Sequence, residues 1–479
     1  MKSCFKAFYY FASEIYSNKY KNKLILIVNN KNFTKYILKL QKNIKHKNPN
    51  LFYTYIQEID DKIYNEFYNL LLNQKQFFLW DLPHRNYSFF SFGNIFSIDE
   101  NSCKNISQLK QIHNFGESDF SFYPLFIGGI KFPVREKTNL WNDYPSEIWY
   151  VPEISFIKYK NKCYFAFNFM YDMLNEKTEK VLEKKISKIL SSSEKFYYQK
   201  NDEISDTEFD DWSVMISDAL NKIKYKDLEK VVLARVKKIS IRGEINFTEI
   251  IDKLKTQFPE CYVFAWRNNN SVFFGASPEL LGRISKNKFE TDALAGSIKR
   301  GINEEEDFIL ENELLNDSKN IHEHKSVLKF IVENLSKLSE SVNYDKTKVK
   351  KLRNIQHLWT PINAIVRNDV SVISLIKSIY PTPAICGLPN KRALEEIEQL
   401  ENFDRGLYAG ILGWFNVEGN GEFVIGIRSA LYKNSFLYAF AGCGIVEGSE
   451  IKSEFEETEL KLKPMLSLFR ERLTNENIS

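Results

Sequence analysis

Residues 262–274, with the sequence YVFAWRNNNSVFF, contain the pattern that decides the fold of this chain. Two aromatic-rich runs, 262–266 and 271–274, lie on either side of three consecutive asparagines at 268–270. Asparagine tolerates the left-handed backbone conformation that tight turns require, and short aromatic runs favour strands. The segment therefore predicts a β-hairpin.

The residues around this hairpin predict further strands and helices. Apolar residues at helical spacing predict a helix over 212–223 and a long amphipathic helical stretch over 304–338, while 231–234 is typical of a buried strand. A second hairpin is predicted from 422–431 and 436–441. This order of elements predicts an α/β (α+β) protein in which helices pack on β-sheets.

The first 200 residues or so are rich in aromatic side chains and carry little recognisable chemistry. Strands are predicted at 23–28 and 165–170, and a helical pattern over 181–200 leads into an acidic connector. We therefore expect a divergent N-terminal part, 1–205, that contributes to the same α/β body. The chemistry is expected in the region 206–479.

Composition excludes several classes of protein. The chain has 479 residues, 43% of them hydrophobic and 27% charged, with a formal net charge of only +4. No basic surface for a nucleic acid or a membrane is expected from this balance, and no run approaches the roughly 20 apolar residues of a membrane span. The six cysteines are widely spaced without a CxxC pair, which favours reduced thiols and a cytoplasmic location.

Glu279 and Lys230 are candidates for acid–base chemistry because each lies at the end of a predicted strand. Pro278 ends the strand pairing just before Glu279, and burial there could keep the carboxyl protonated as a general acid. Lys230 opens a buried strand and could act as a base. Taken singly, each residue is more typical of the protein surface than of an active site.

The segment 454–461 places three ionisable side chains on one face of a predicted C-terminal helix. Glu454, Glu457 and Lys461 follow the spacing i, i+3 and i+7. A solvated ion pair between Glu457 and Lys461 is one interpretation of this spacing. Glycines at 442–448 favour another, an anion site beside carboxylates that hold Mg²⁺, since glycine lets backbone amides approach a ligand closely.

Glu323 lies between His322 and His324, a pattern that suggests a metal site. On a helix these two histidines point in different directions, so a zinc site is not expected. Glu323 remains a candidate ligand for Mg²⁺, which binds one or two carboxylates together with waters and substrate oxygens.

Other residues could line a pocket. Gly296, Ser297 and Ala384 lie in predicted tight turns, for which a position on the surface is the alternative. Arg428 is expected within a strand, where burial would require an anionic partner such as a substrate carboxylate.

Together and in this order, the segments resemble the chorismate-utilising enzyme family, most closely its isochorismate synthases, over residues 212–469. The similar motifs are KVVLAR at 230–235, GASPELLGR at 275–283, ALAGSIKRG at 293–301, HEH at 322–324, PTPAICGLP at 381–389, FDRGLYAGILGWFNVEGNGEF at 403–423, IRSAL at 427–431 and AGCGIVEGSEIKSEFEETELKLKPML at 441–466.

The resemblance implies two face-to-face β-sheets with helices outside and a defined reaction on chorismate. Lys230 would activate a water that adds at C2, and Glu279 would protonate the departing C4 hydroxyl. Glu323 and Glu457 would hold Mg²⁺, with Glu454 in or near its outer shell. The positions that match substrate contacts in the family are Gly296, Ser297, Ala384, Arg428, Gly442 and Lys461.

Two positions favour water over ammonia as the nucleophile. Anthranilate-type members usually lack the lysine found here at Lys230, and aminodeoxychorismate synthases usually carry a lysine where this chain has Ala295. No glutamine amidotransferase partner is therefore expected. Phe455 departs from a tryptophan that is common in the family, a change expected to be tolerated in packing.

The sequence leaves open which biosynthetic pathway uses the product. The 403–410 and 453–463 stretches look more like the menaquinone-pathway synthases. A siderophore-pathway synthase and a salicylate synthase are the alternatives, and a non-catalytic chorismate-binding relative is a hypothesis of a different class.

Overall fold

The computed structural model describes residues 35–36, 38–40, 51–72, 74–99, 109–114, 122–170, 205–206, 209–225, 227–241, 245–351 and 355–469. The strand predicted at 23–28 and the helix predicted over 181–200 lie outside these residues.

The described residues form strands and helices in the following order along the chain. The strands are β1 Leu51–Ile59, β2 Gln76–Leu82, β3 Tyr87–Phe92, β4 Phe96–Ile98, β5 Lys110–His113, β6 Phe126–Ile130, β7 Glu147–Val151, β8 Ile154–Tyr159, β9 Lys162–Met170, β10 Ser205–Asp206, β11 Lys230–Ser240, β12 Tyr262–Asn268, β13 Ser271–Ser277, β14 Leu280–Ser285, β15 Lys288–Lys299, β16 Ser339–Tyr344, β17 Lys348–Lys351, β18 Ile355–Val366, β19 Gly387–Leu388, β20 Ile411–Phe415, β21 Gly421–Ile425, β22 Ser429–Lys433 and β23 Phe436–Val446. The helices are α1 Asp61–Leu71, α2 Phe209–Lys224, α3 Phe247–Gln257, α4 Glu304–Asn316, α5 Ser318–Ser336, α6 Val372–Ser378, α7 Asn390–Leu400 and α8 Ile451–Ser467.

These strands form two large sheets. One has 13 strands in the order β10-β11-β23-β22-β13-β12-β2-β3-β8-β9-β1-β5, with β19 paired to β11. The other has 10 strands in the order β16-β18-β15-β14-β21-β20-β6-β7-β4, with β17 paired to β18. Strands from before and after residue 205 are neighbours in both sheets, as where β2 pairs with β12 and β6 with β20.

Aromatic side chains from the facing surfaces of the two sheets meet in a common core. The rings of Phe52 on β1 and Phe126 on β6 lie 6.0 Å apart, and those of Tyr87 and Trp414 lie 5.8 Å apart. Helices cover the outer faces, with α3 against β12, α5 against β15 and α8 against β23. The predicted fold of two stacked sheets flanked by helices is therefore confirmed.

The hairpin predicted at 262–274 is present as β12 and β13. The two strands pair in register from Tyr262 opposite Ser277 to Asn268 opposite Ser271, and Asn269 turns the chain at a φ of +55°. The asparagine signal was therefore interpreted correctly.

The sequence prediction was wrong about the extent of two elements. The stretch 304–338 is not one helix but two, because the side chain of Asp317 accepts a hydrogen bond from the backbone of Asn320 and starts α5. The strand predicted at 422–431 is interrupted after Ile425, where the chain leaves one sheet and enters the other before pairing with β23. Sequence periodicity did not reveal either break, because the first depends on the side-chain cap of Asp317 and the second on which sheet each strand joins.

None of the helices in the described part of the chain combines the length and apolar character needed to cross a bilayer.

Candidate active site

A cavity of about 320 Å³, here called the main cavity, collects most of the residues singled out in the sequence. It lies where β13, β15 and β23 meet the helices α5 and α8. The predicted site residues that line it are Glu279, Gly296, Ser297, Glu323, Ala384, Arg428, Gly442, Glu454, Glu457 and Lys461. Lys230 does not line the main cavity but lies directly beside it, against Gly444.

Glu279 lies in the short turn between β13 and β14. Its backbone N–H donates to the Ser277 hydroxyl over 3.2 Å, and its carbonyl accepts from the Ile425 N–H over 3.1 Å, so neighbouring strands fix the turn. Glu279 is half-buried and lines the main cavity. Burial raises its pKa to about 7, although the positive charge of Lys230 opposes the rise. Glu279 therefore keeps its proton to a higher pH than an ordinary glutamate.

Arg428 lies between β21 and β22, not within a strand as predicted. Its φ of +50° is rare for a residue with a side chain, and its carbonyl accepts from the Ala276 N–H over 3.1 Å. Among the described residues, no ion pair or hydrogen bond to the guanidinium is found. Burial lowers the pKa of the group by more than the nearby Glu457 raises it, so the protein compensates its charge only in part. A buried cation that faces a cavity in this way is suited to bind an anion.

Lys230 begins β11 and is almost completely buried, at 4% exposure. It pairs with Leu388 of β19 on one side and Val446 of β23 on the other, so its backbone is fixed in the sheet. Its Nζ donates to Glu323 Oε1 over 2.7 Å. Gly444 makes room for the side chain, because a Cβ there would lie only 2.8 Å from Lys230 Cε.

The ionisable face predicted for the C-terminal helix is present on α8. Burial disfavours ionisation of Glu457, but Lys461 outweighs this effect through a 2.5 Å contact, and the pKa of Glu457 lies below its usual value. The Lys461 Nζ also donates to the Gly442 carbonyl over 3.0 Å. Burial, reinforced by the charge of Glu457, raises the pKa of Glu454. The two carboxyls thus repel each other within the cavity.

Gly296 forms a bulge in β15 that exposes the backbone to the cavity. The pairing with β18 shifts between Ala295 and Ser297, and Gly296 has a φ of +77°. The Ser297 N–H donates to Asn320 Oδ1 over 2.9 Å. Asn320 is the residue whose backbone is capped by Asp317, so the start of α5 sets the position of this turn.

His357 is a cavity residue that the sequence analysis missed. Its Nδ1 and the Ser297 hydroxyl are hydrogen-bonded over 2.7 Å. Burial, together with the positive charges of Arg428 and Lys461, lowers its pKa to about 3, so the imidazole is neutral. A single histidine in a strand cannot be distinguished by pattern from a core histidine such as His324, which bonds the Ala295 carbonyl and Thr360.

The turn that carries Ala384 is held by a buried ion pair, which was also not predicted. Arg405 donates to the Ile385 carbonyl over 3.0 Å and to the Val232 carbonyl over 2.7 Å, and its charge is paired with Glu401. Both carbonyls belong to residues that line the main cavity. The pair therefore fixes the turn against β11.

No group of three or more His, Cys, Asp or Glu side chains in the described ranges is close enough to hold a metal ion by itself. Glu323, Glu454 and Glu457 nevertheless line one cavity, and this fits Mg²⁺, which commonly takes one or two protein carboxylates and completes its shell with water and substrate oxygens. The mutual repulsion between Glu454 and Glu457 is the kind of charge that a cation would offset.

Comparison with known proteins identifies the family. The family model described as "Chorismate binding enzyme" matches residues 38–470, which is most of the chain. The chain therefore belongs to the chorismate-binding enzymes, and the family resemblance found in the sequence is confirmed.

Curated relatives within the family are named isochorismate synthases. The chain is 33% identical over 410 residues to isochorismate synthase MenF of Bacillus subtilis, a match that covers 81% of this chain and 87% of that protein. It is 41% identical over 255 residues to the salicylate biosynthesis isochorismate synthase of Pseudomonas aeruginosa, covering 53% of each. The match to isochorismate synthase EntC of Escherichia coli is 36% identical and covers 62% of that protein.

Solved structures agree on the fold. The structure of MenF, the menaquinone-specific isochorismate synthase from Escherichia coli, superposes with a TM-score of 0.75 at 21% identity and covers 91% of this chain and 99% of that one. Anthranilate synthase component I from Streptococcus pneumoniae superposes with a TM-score of 0.64 at 22% identity, covering 79% of this chain and 92% of that one.

Proposed function

We propose that this chain is an isochorismate synthase, an isomerase that converts chorismate to isochorismate. The observation that carries the proposal is one cavity that holds both Glu279, a carboxyl with a pKa raised to about 7, and Arg428, a cation with no hydrogen bond or ion pair to the described residues. Chorismate carries carboxylates for the cation and a hydroxyl leaving group for the acid. The names of the curated relatives support the same activity.

In the proposed reaction, Lys230 leaves its bond to Glu323 and, as a free amine, takes a proton from a water molecule whose oxygen bonds to C2. The two ring double bonds each shift by one position, the C4–O bond breaks, and the C4 hydroxyl leaves as water with the proton of Glu279. One water is consumed and one is released, so the reaction is an isomerisation. A carboxyl with a pKa of about 7 suits this step, because it is protonated before the reaction and can regain its proton afterwards.

Substrate binding is assigned to groups around the main cavity. Arg428 and Lys461 supply positive charge for a carboxylate, and Gly296 and Ser297 in the bulge of β15 line the cavity beside them. Ala384 and Gly442 complete the contacts as lining residues without bulky side chains. The fixed turns described above preorganise these contacts, so that little reordering is needed when the substrate binds.

We also propose that Glu323 and Glu457 hold Mg²⁺, with Glu454 in or near its outer shell. The ion would supply positive charge opposite a substrate carboxylate, which would otherwise meet a cavity rich in acids. In the structure Glu323 accepts from Lys230 and Glu457 accepts from Lys461, so each carboxylate has a cationic partner, the kind of charge that Mg²⁺ would supply in its place.

Menaquinone biosynthesis is the pathway proposed for the product, in the cytoplasm and without an amidotransferase subunit. The name MenF of the relative that matches most of the chain supports this choice. A second candidate is a salicylate or siderophore pathway, favoured by the name of the Pseudomonas aeruginosa relative.

The direct test is to incubate the purified chain with chorismate and Mg²⁺, with no ammonia source, and to identify the products by chromatography and NMR. Isochorismate alone supports the proposal. Salicylate with pyruvate would assign a lyase, a reaction only with ammonia would assign an aminating enzyme, and no reaction at all would favour a non-catalytic chorismate-binding relative.

Metal dependence has a test that needs no substrate. Mg²⁺ should raise the melting temperature of the wild-type chain, because a ligand that binds only the folded state stabilises it. Glu457→Gln should lose this shift in melting temperature. In a separate assay with chorismate, EDTA should abolish isochorismate formation until Mg²⁺ is restored. An unchanged shift in Glu457→Gln would remove this residue from the proposed ligands.

A further inference from the structure

A second cavity of about 550 Å³, here called the side cavity, lies on the other side of Lys230. Its walls are mostly apolar, with Ile223, Leu228 and Leu388 among them. Its rim carries the exposed residues Glu229 and His322, so the side cavity opens to solvent. Of the two proposed catalytic residues, Lys230 lines the side cavity and Glu279 lines the main cavity.

The partition between the two cavities is the ion pair of Lys230 and Glu323. Glu323 lines both cavities, and its Oε1 lies 2.7 Å from Lys230 Nζ. Lys319 is the other residue common to both linings. The proposed base lines the side cavity and lies at this partition, whereas the proposed acid Glu279 lines the main cavity.

We propose that the side cavity is the route by which the attacking water reaches Lys230, separate from the main cavity that holds chorismate. This inference rests on the proposed function. Chorismate bound in the main cavity, of about 320 Å³, would displace water from that side, and a second opening would keep the nucleophile supplied. The Lys230 amine and the Glu323 carboxylate both line the side cavity, and an entering water can form hydrogen bonds to them there.

Ser326 offers a way to block this route without touching the substrate site. It is half-buried on α5, lines the side cavity but not the main cavity, and donates its hydroxyl to the His322 carbonyl four residues earlier over 3.0 Å. Ser326→Phe places a bulky apolar ring in the side cavity. Ser336→Phe is a matched control, because Ser336 is an exposed serine on the same helix with the same bond to the carbonyl four residues earlier.

The experiment measures kcat and KM for chorismate, the Kd of chorismate and the melting temperature of the wild type and both variants. We expect Ser326→Phe to lower kcat at least tenfold while the Kd for chorismate stays within twofold, and Ser336→Phe to match the wild type. A purely structural defect would move the melting temperature or the Kd as well. Ser326→Leu serves as a smaller block if the phenylalanine variant does not fold.

Two results would overturn the proposal. Wild-type kcat in a folded Ser326→Phe or Ser326→Leu variant would show that water does not need the side cavity. A loss of chorismate binding that matches the loss of turnover would make the side cavity part of the substrate site. Both differ from a failure of the proposed function, in which the wild-type chain itself would form no isochorismate.

Discussion

At the scale of single residues, the character of the site comes from groups whose charge is set by burial. Glu279 keeps its proton because it faces an internal cavity, and Arg428 stays cationic without a partner on the protein. Burying a carboxyl and a guanidinium in this way costs folding free energy. It is useful in catalysis, because each group already has the protonation state that the reaction needs.

Glu279 should make the stability of the substrate-free chain depend on pH. Its pKa is raised from 4.5 to about 7 on folding, so the folded state binds a proton that the unfolded state has lost between these values. Stability therefore falls as the pH rises through this window, because the unfolded state binds fewer protons there. Glu279→Gln has no proton to lose, and its melting temperature relative to the wild type should rise from about pH 5 to about pH 8.

Thermal unfolding of both chains across this pH range checks the prediction. A difference in melting temperature that does not change with pH would show that the Glu279 carboxyl is not held protonated by the fold.

Arg428 should contribute mainly to binding of the substrate carboxylate. Arg428→Ala removes a charged hydrogen bond worth ~1.5–3 kcal/mol, so KM for chorismate should rise about 10- to 100-fold. Steady-state kinetics measure this change. Arg367→Ala, at an exposed arginine outside the main cavity, is the control and should leave KM unchanged. Equal effects of the two substitutions would contradict the assigned role.

At the scale of elements, the start of α5 connects a helix cap to the cavity. Asp317 Oδ1 accepts from both the backbone N–H and the side-chain amide of Asn320, at 2.7 Å each. Asn320 then accepts from the Ser297 N–H in the bulge of β15. These hydrogen bonds therefore link the start of α5 to the bulge of β15, and so position a backbone segment of the site.

Asp317→Ala should weaken both the helix and the site. Loss of an N-cap costs about 0.5–2 kcal/mol of unfolding free energy, and the freed Asn320 should raise KM for chorismate severalfold. Asn303→Ala is the matched control, because Asn303 caps α4 in the same way through the Glu306 N–H. Denaturant unfolding and kinetics should show similar destabilisation in both variants but a change in KM only in Asp317→Ala. A KM change in both would assign the effect to general loosening.

At the scale of the whole molecule, the two sheets share one core to which residues before 205 contribute. Phe126 on β6 is fully buried, and its ring lies 4.9 Å from that of Phe415 on β20 and 6.0 Å from that of Phe52 in the other sheet. The division into 1–205 and 206–479 within one body stays a prediction.

Phe126→Ala should destabilise the entire chain and not only its N-terminal part. Removing a buried phenylalanine typically costs about 3–5 kcal/mol. If residues 1–205 and 206–479 form one body, the unfolding midpoints measured by intrinsic fluorescence and by loss of activity should shift together to lower denaturant concentration. Phe308→Ala, at an exposed position on α4, should change stability by less than about 0.5 kcal/mol. Two separate unfolding transitions, with only one shifted, would contradict a single body.

Local patterns were sufficient to predict many elements. The asparagine turn, the buried strand from Lys230 and the C-terminal helix with Glu454, Glu457 and Lys461 on one face all occur as expected. Each depends on residues within about ten positions of one another, and such signals are visible in a single chain.

Other features depend on contacts between distant residues and could not be predicted. His357 bonds Ser297 from another strand, and Arg405 holds carbonyls of Val232 and Ile385. A lone histidine or arginine carries no periodic signal, so its partner can be known only when the strands are placed side by side.

The ordered motifs of the chain were enough to recognise the family, and that resemblance in turn implied the two-sheet fold and the roles of the site residues. The packing of the strands was needed to show that Arg428 lies between two strands with no hydrogen bond or ion pair to the described residues, and that Lys230 lines the side cavity while Glu279 lines the main cavity. The physical reason is that residues remote in sequence meet only when the two sheets pack. These contacts bury each ionisable group, and burial sets its charge and the cavity from which it can be reached.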